Sequence, residues 1–520
     1  MKPLRSKSSR AQVSRVVSLS APTQGWYVGA NLADAPEKTC FILENAFCEL
    51  DYVRARGGCV SWATGMVPGV VASLMHWTNG SGEKLFAARG GSIYDVSSTG
   101  AVGAPLVTSL SSDYFESVQF TGPGGTTLVA VNGADAVQTW NGTAWNATTP
   151  ITGNTYPLAS VWSFKSRLYF VEAGTTIAYY LGVGAIGGAL TPLPLSNTFK
   201  WGGALLCGGT WAIDSTSGIY EACVFVSTEG EVAVYNGDYP GATNWTLVGT
   251  YKLSKPLGRR CLMKAGGDLA VMTQDGIVPM SKVETLDQVA LQNSAITLPI
   301  APAWKSAVLA RGSGAAGWQL MIWPMASMAV VNLPKETTDD RTQFVSNART
   351  GAWARYTGWD ANCFAVFQDG LFFGTSDGRV MQAEAGGYDD GAVYTTTIFP
   401  SYSDCGAAGV RKLVKMVRPL VQSNFWTPPQ VTVKFDFDLV APSAPSASSP
   451  VLPGSARWGV SLWGVATWPP TSFSQENWLA AVGMGYVLSP ILQMTIGQPG
   501  LPDLRLTTTT VLFEVGNSVG

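Results

Sequence analysis

Hydrophobic positions in this chain come in short runs, each stopped by a glycine-containing turn, and not in the three-four spacing of an amphipathic helix. The stretch Ala361–Glu384 (ANCFAVFQDGLFFGTSDGRVMQAE) sets the pattern. Its apolar runs Cys363–Phe367, Leu371–Gly374 and Arg379–Ala383 are separated by Gln368-Asp369-Gly370 and Ser376-Asp377-Gly378. An Asp-Gly pair supplies the positive φ angles of a tight hairpin, because glycine has no Cβ to clash. Phe and Val suit a half-buried pleated surface. The stretch predicts an antiparallel meander of three strands.

The unit recurs around Gly91, Gly133, Gly174, Gly230 and Gly276, at a weaker turn near Ser327, and at Gly378. Successive turn positions lie 41 to 56 residues apart, overlapping the roughly 40–50 residues of a propeller blade. The alternative, a β-sandwich array, turns every 8–12 residues or so. The fold class expected is therefore mainly β: a β-propeller of about seven blade-like repeats with an additional C-terminal β domain. An N-terminal arm and entry segment covers 1–65, the propeller 66–390 and the C-terminal domain 391–520.

Two stretches depart from the pattern inside these bounds. Val283, Leu286, Val289, Trp304 and Val308 fall at helical spacing, and Pro299 and Pro302 interrupt them. This predicts two short helices in an insertion over 283–310. In the C-terminal domain, strand-like runs at Ala392–Phe399, Leu413–Val421, Val431–Val440 and Thr507–Val515 are interrupted by Ala441–Ala456 (APSAPSASSPVLPGSA). That segment is Pro/Ser-rich and cannot pack a core.

Composition narrows the function classes. Charged residues make up 13% of the chain, about half the usual share, so much of the surface is expected to be covered by neighbouring subunits. Net charge is −2, without the basic excess by which proteins grip nucleic acid. Lys2, Arg5, Lys7, Arg10 and Arg15 concentrate positive charge in residues 1–20, which read as a solvated tail or a docking arm. The eight cysteines form no C-x-x-C pair and no metal-ligand spacing. The N-terminus lacks an apolar core of signal-peptide type, so the thiols are expected to be reduced and structural. No stable membrane span is expected: Met66–Met75 is short, and Trp478–Met494 is broken by Gly483, Gly485 and Ser489-Pro490.

Catalytic signatures are sparse. Gly182–Gly187 fits G-x-G-x-x-G, but Thr191-Pro192-Leu193-Pro194 follows where a phosphate-binding helix would have to run on. His76 is the only histidine, and it lies in a strand-like run. Asp339-Asp340 and Asp389-Asp390 are carboxylate pairs, yet sequence neighbours point in different directions. Ser376-Asp377-Gly378 lacks the spacers and the closing Thr-Trp of sialidase-like repeats, and Trp359-Asp360 occurs once without the Gly-His of WD blades. No catalytic residue, cofactor-binding residue or metal ligand is expected.

One set of motifs points further. Leu43-Glu44-Asn45-Ala46-Phe47, followed by Val53-Arg54-Ala55-Arg56-Gly57-Gly58, resembles the opening of bacteriophage tail proteins that form the nozzle, or tail tube B component, of short-tailed phages. The likeness continues in Lys84–Val96, Val129–Asp135, Gly182–Leu190, Ser227–Tyr235, Pro256–Arg260 and Thr350–Asn362, spanning about residues 25–420. It implies a virion structural protein assembled in the host cytoplasm. Such a protein forms a homo-oligomeric, hexameric ring below the portal and adaptor, alongside tail fibre proteins. Double-stranded DNA passes through the ring transiently during ejection.

Two site expectations accompany this reading. Arg259 and Arg260, as strand neighbours facing opposite ways, are expected to make inter-blade or inter-subunit polar contacts. Ser443, Pro445, Ser446 and Pro450 are expected in a loop at the tube tip or in its channel, against the alternative of an inert surface loop. Two other functions fit the fold: a receptor- or glycan-binding propeller of the tail, and a glycoside-cleaving enzyme.

Overall fold

The computed structural model describes residues 14–515, apart from 30, 81, 216–217, 284–287, 338–340, 426 and 446–472. The chain is mainly β and divides into two compact units. Of the described residues, a sheet-repeat unit holds those of Gly58–Gly351 and Tyr356–Ala385; a terminal unit holds those up to Gly57, Ala352–Arg355, and those from Gly386 on. The segment before Gly57, read from sequence as a separate entry segment, thus belongs with the C-terminal sheets.

In the repeat unit, seven sets of antiparallel strands, called sheets below, follow one another among the described residues, the sixth being one end of a larger sheet. Their first strands are Ser73–Asn79, Glu116–Gly122, Leu158–Phe164, Leu205–Ser215, Leu262–Ala265, Gln319–Trp323 and Cys363–Phe367. The second strands carry the continuous apolar runs: Leu85–Ala88, Leu128–Val131, Leu168–Val171, Ala222–Val226, Leu269–Met272, Met328–Val331 and Leu371–Phe373 are buried. Continuous burial, in place of alternation, means that both faces of each sheet are covered. Side chains alternate between the faces. Leu128 and Ala130 pack with Phe86 and Trp77 of the first sheet, while Val129 and Val131 pack with Leu168 and Phe170 of the third. Each buried Phe or Leu contributes roughly 1.5–3 kcal/mol of transfer free energy.

The contacts run in a circuit. Ser73–Asn79 packs beside Glu116–Gly122, that strand beside Leu158–Phe164, and the latter beside Leu205–Ser215. Leu205–Ser215 meets Asp268–Thr273 of the fifth sheet, Leu262–Ala265 meets Gln319–Trp323, and Gln319–Trp323 meets Cys363–Phe367. Cys363–Phe367 then packs against Ser73–Asn79. The fourth strand of the last sheet comes from the other end of the unit: Cys59–Thr64 pairs antiparallel with Val380–Ala383, and Gly100–Ala101 pairs parallel beyond it. Ala63, Leu85, Tyr94, Cys363, Phe372 and Val380 share the core at this junction.

The turns have positive φ where a hairpin requires it, at Gly91 (69°), Gly133 (78°), Gly174 (73°), Gly230 (83°), Gly276 (144°) and Gly378 (89°). Each joins a second strand to a third, whereas the Ser327 turn (φ 50°) joins the first two strands of its sheet. In the Ala361–Glu384 meander the positive angles fall one residue earlier than the Asp-Gly reading requires, on Gln368 (47°) and Asp369 (58°). Phe367 pairs with Gly370, so the two-residue loop is Gln368-Asp369, and a turn of this kind needs positive φ at both central positions.

The helical insertion is longer than expected. Met280–Val283, Gln288–Asn293 and Ala301–Arg311 are helical, with a 3₁₀ turn at Leu298–Ile300. Pro302 sits in the first turn of the last helix and does not break it, because a first-turn N–H has no intrahelical acceptor to lose. Trp304 and Val308 are buried, and Leu309 is exposed.

The terminal unit is built on two long strands, Lys412–Ser423 and Leu504–Val515, paired with each other. Ser14–Ser20 pairs with Thr508–Glu514, so the end of the basic N-terminal stretch, from Ser14, is a strand and not a free tail. Val17 and Leu19 alternate inward against Val414, Val417, Val511 and Phe513. A second set, Thr39–Glu44, Tyr394–Pro400, Leu488–Ile496 and Gln430–Phe435, pairs in that order. Arg56 is fully buried in this unit, with Nη1 and Nη2 on the Asp389 carboxylate at 2.8 and 2.5 Å. Its Nε donates to Asn45 Oδ1 at 2.8 Å, and its guanidinium lies 4.1 Å over the Tyr394 ring.

Candidate functional site

The loop Leu253–Cys261 joins the fourth sheet to the fifth and carries two adjacent arginines. Leu257 is fully buried and its N–H donates to Met272 O at 3.0 Å. Gly258 turns the chain at φ 74°, and Arg260 O accepts from Leu320 N of the sixth sheet at 3.1 Å. So anchored, the loop holds two guanidinium groups among the first strands.

Arg259 Nη1 donates to Ala159 O at 2.7 Å, and its Nη2 to Tyr114 O and Asn132 O at 3.2 and 3.5 Å. Arg260 donates to Ala72 O at 3.1 Å, Ser73 Oγ at 2.5 Å and Phe115 O at 2.8 Å. Most of these acceptors are carbonyls at strand ends and in the segments that enter the first strands, where no ladder partner supplies a donor. Arginine offers five in a fixed fork. Both guanidinium groups also lie over Tyr114, at 4.7 and 4.1 Å from the ring centre. The two arginines therefore act together across the first three sheets. They occupy a turn, not a strand, which is why they do not face opposite ways.

Beneath them is a chamber of about 260 Å³ lined by Glu116, Ser117, Ser160, Cys207, Gln319 and the two arginines, among others. Glu116 Oε1 is enclosed there without a protein hydrogen-bond partner. Burial raises the Glu116 carboxyl above its usual range, against the pull of Arg259, a hydrogen bond with Ser160, and Arg260. Burial likewise raises the Tyr114 phenol. The Gln319 amide accepts from Phe364 N at 2.8 Å and donates to Phe364 O at 2.9 Å, bridging the sixth and seventh sheets. On the other side of Arg259 a bowl of about 450 Å³ is lined by Tyr114, Lys255, Pro256 and Ser313–Ala316, with Leu206 and Thr228. Lys255 Nζ pairs with Glu229 Oε2 at 2.9 Å.

The remaining candidates are dispersed. Asp389 is engaged by Arg56, and Asp339-Asp340 lies outside the described residues. His76 Nε2 meets Glu83 Oε1 at 2.6 Å across a strand pair. Gly182–Gly187 forms a turn, with Ala185 N donating to Gly182 O, and a short strand at Gly188–Ala189 follows in place of a helix. Ser443 and Pro445 lie in the terminal unit just beyond Pro442, whose carbonyl accepts from Gln493 Nε2 at 3.3 Å. Ser446 and Pro450 lie outside the described residues. Among the described residues no cluster of three or more His, Cys, Asp or Glu is placed to hold a metal, and no helix is long and apolar enough to cross a membrane.

Sequence reasoning found the arginines but not Tyr114, Glu116 or Gln319. The available signal was a charged or amide residue beginning an apolar strand, as in Glu116-Ser117-Val118-Gln119-Phe120.

No protein-family model matches the chain, and no curated protein matches it. Solved structures that are similar in part include two that share little sequence with this chain. The WD40 β-propeller domain of Doa1 is 11% identical with a TM-score of 0.38, over 64% of this chain and 97% of that one. BBS1N, solved in complex with ARL6DN, is 8% identical with a TM-score of 0.38, over 63% of this chain and 98% of that one. Neither likeness bears on function.

Proposed function

We propose that the repeat unit is a seven-bladed propeller and that the chain is a structural subunit of a short-tailed phage nozzle, ring-forming around the DNA channel. The observation that carries this reading is where the family-like motifs fall. Asn45 and Arg56 belong to the clip on Asp389, and Arg259 and Arg260 to the loop that ties three sheets. Gly91, Gly133 and Gly230 are positive-φ turns. The residues behind the resemblance are thus those on which the architecture depends, which fits an inherited scaffold. A propeller is a rigid wedge, and rings close through heterologous contacts between such wedges. Near-neutral net charge suits a channel that passes DNA without holding it.

The test is to image virus particles from the producing host with this chain labelled by antibody. Label on the short tail supports the assignment. Its absence from particles overturns it. Deleting Ser443–Pro450 tests the loop separately: a role at the tip or in the channel requires altered DNA retention or ejection, and normal ejection leaves an inert surface loop.

A second reading, a receptor- or glycan-binding propeller, rests on the 450 Å³ bowl beside Tyr114, Lys255 and Arg259. Its volume falls in the range of small-ligand pockets. Binding of host polysaccharide by the isolated monomer, lost on Tyr114→Ala, selects this reading.

A further inference from the structure

We propose that Cys207 and Cys261 are a latent disulfide, which closes into a covalent bridge between the fourth and fifth sheets when the protein meets a peroxide. The inference stands on contact geometry and is independent of the tail-subunit reading. The two sulfur atoms lie 3.6 Å apart and both residues are buried. Cys207 is in the first strand of the fourth sheet, and Cys261 follows Arg260 directly. A disulfide holds its sulfurs about 2.05 Å apart, so a closure of about 1.5 Å, shared by two side chains, suffices.

Access and chemistry are both in place. Cys207 lines the chamber of about 260 Å³ beneath the arginines, which is roomy enough for hydrogen peroxide. One thiol loses its proton and attacks a peroxide oxygen; the O–O bond breaks, leaving a sulfenic acid and one water. The second sulfur then displaces the sulfenic oxygen, which leaves as a second water, and the S–S bond forms. Two electrons pass from the sulfurs to the peroxide, and both thiol protons end in water. The hydrogen-bonding contact with Cys261, then burial, hold the Cys207 thiol well above its ordinary pKa. The first step is accordingly slow. The second is fast, because the partner sulfur is already in contact. Once closed, the bridge fixes the loop that carries Arg259 and Arg260.

The experiment treats the purified full chain with hydrogen peroxide, alkylates it under denaturing conditions, and maps the peptides by mass spectrometry. Expected is a linked Cys207–Cys261 pair that dithiothreitol reverses, together with a rise in Tm of about 5 °C. That rise should be absent in Cys207→Ala and in Cys261→Ala. Recovery of both residues as free thiols or sulfinic acids overturns the proposal. So does bridging to other partners, for instance Cys40 with Cys48, or a Tm rise that persists in the two variants. The peptide map needs no variant, so a folding defect in either cannot hide the answer.

Discussion

Arg56 and Asp389, 333 residues apart in sequence, meet in a two-pronged ion pair at 2.8 and 2.5 Å. They sit in the terminal unit beside Gly57/Gly58 and Ala385/Gly386, two of the points where the chain passes from one unit to the other. The pair ties the segment that ends at Gly57 to the segment that begins at Gly386. Asp389→Ala leaves a buried guanidinium without its counter-charge, and should cost about 3–5 kcal/mol. Urea denaturation followed by tryptophan fluorescence measures it. A loss below about 1 kcal/mol would show that water or rearrangement compensates the arginine.

Arg260→Ala removes donors from Ala72 O, Ser73 Oγ and Phe115 O together. Hydrogen bonds to a charged group are worth about 1.5–3 kcal/mol each, and loss of one donor set is less than additive. The expected destabilisation is about 2–4 kcal/mol, with faster amide exchange at the heads of the first two sheets. Arg260→Lys should recover less than half, because an ammonium cannot span carbonyls on two sheets or lie flat on Tyr114.

Glu116 gives a pH signature. Its folded pKa is raised, chiefly by burial, with Arg259, Ser160 and Arg260 opposing. A raised carboxyl contributes stability that is present below the unfolded pKa, about 4.3, and is lost as pH rises through the folded value. Glu116→Gln should therefore raise Tm relative to wild type at pH 8 by a few degrees, and the difference should shrink towards zero near pH 4. Thermal melts across that range check it, and a variant destabilised at pH 8 would reverse the sign.

Two turn glycines should respond differently to alanine. A Cβ on Gly230 would meet Leu253 O at 2.5 Å and Ser254 O at 2.6 Å, whereas one on Gly174 meets nothing within 4 Å. Both have positive φ, so each alanine pays about 1 kcal/mol of backbone strain. Gly230→Ala should cost at least about 2 kcal/mol more, through the clash with main-chain oxygens. Equal Tm losses for the two variants would contradict the packing at Gly230.

Strands and turns were legible in the sequence because their causes are local. Runs such as Leu168–Val171 and Ala222–Val226 declare buried strands, and Gly133 or Gly174 declares the hairpin beside it. The helix-compatible proline at 302 was misread because Pro stops a helix in its interior and starts one in its first turn. What stayed hidden were ties between distant segments. Arg259 and Arg260 stood out in Pro256–Arg260, but their acceptors are main-chain carbonyls at Ala72, Phe115 and Ala159, which carry no side-chain identity to read. The strand nature of Ser14–Ser20 was masked by nearby charge, and it depends on Thr508–Glu514 at the opposite end of the chain.

The pairing of Cys59–Thr64 with Val380–Ala383 sets a clock on biosynthesis. The early strand emerges from the ribosome long before its partner exists. At about 5–20 residues per second the wait is roughly a quarter of a minute to a minute. Throughout that interval the nascent chain presents an unsatisfied strand edge, a template for pairing with a neighbouring nascent chain. Yield at high expression should thus be limited by crowding of unfinished chains on polysomes, and slower initiation should improve it more than slower elongation.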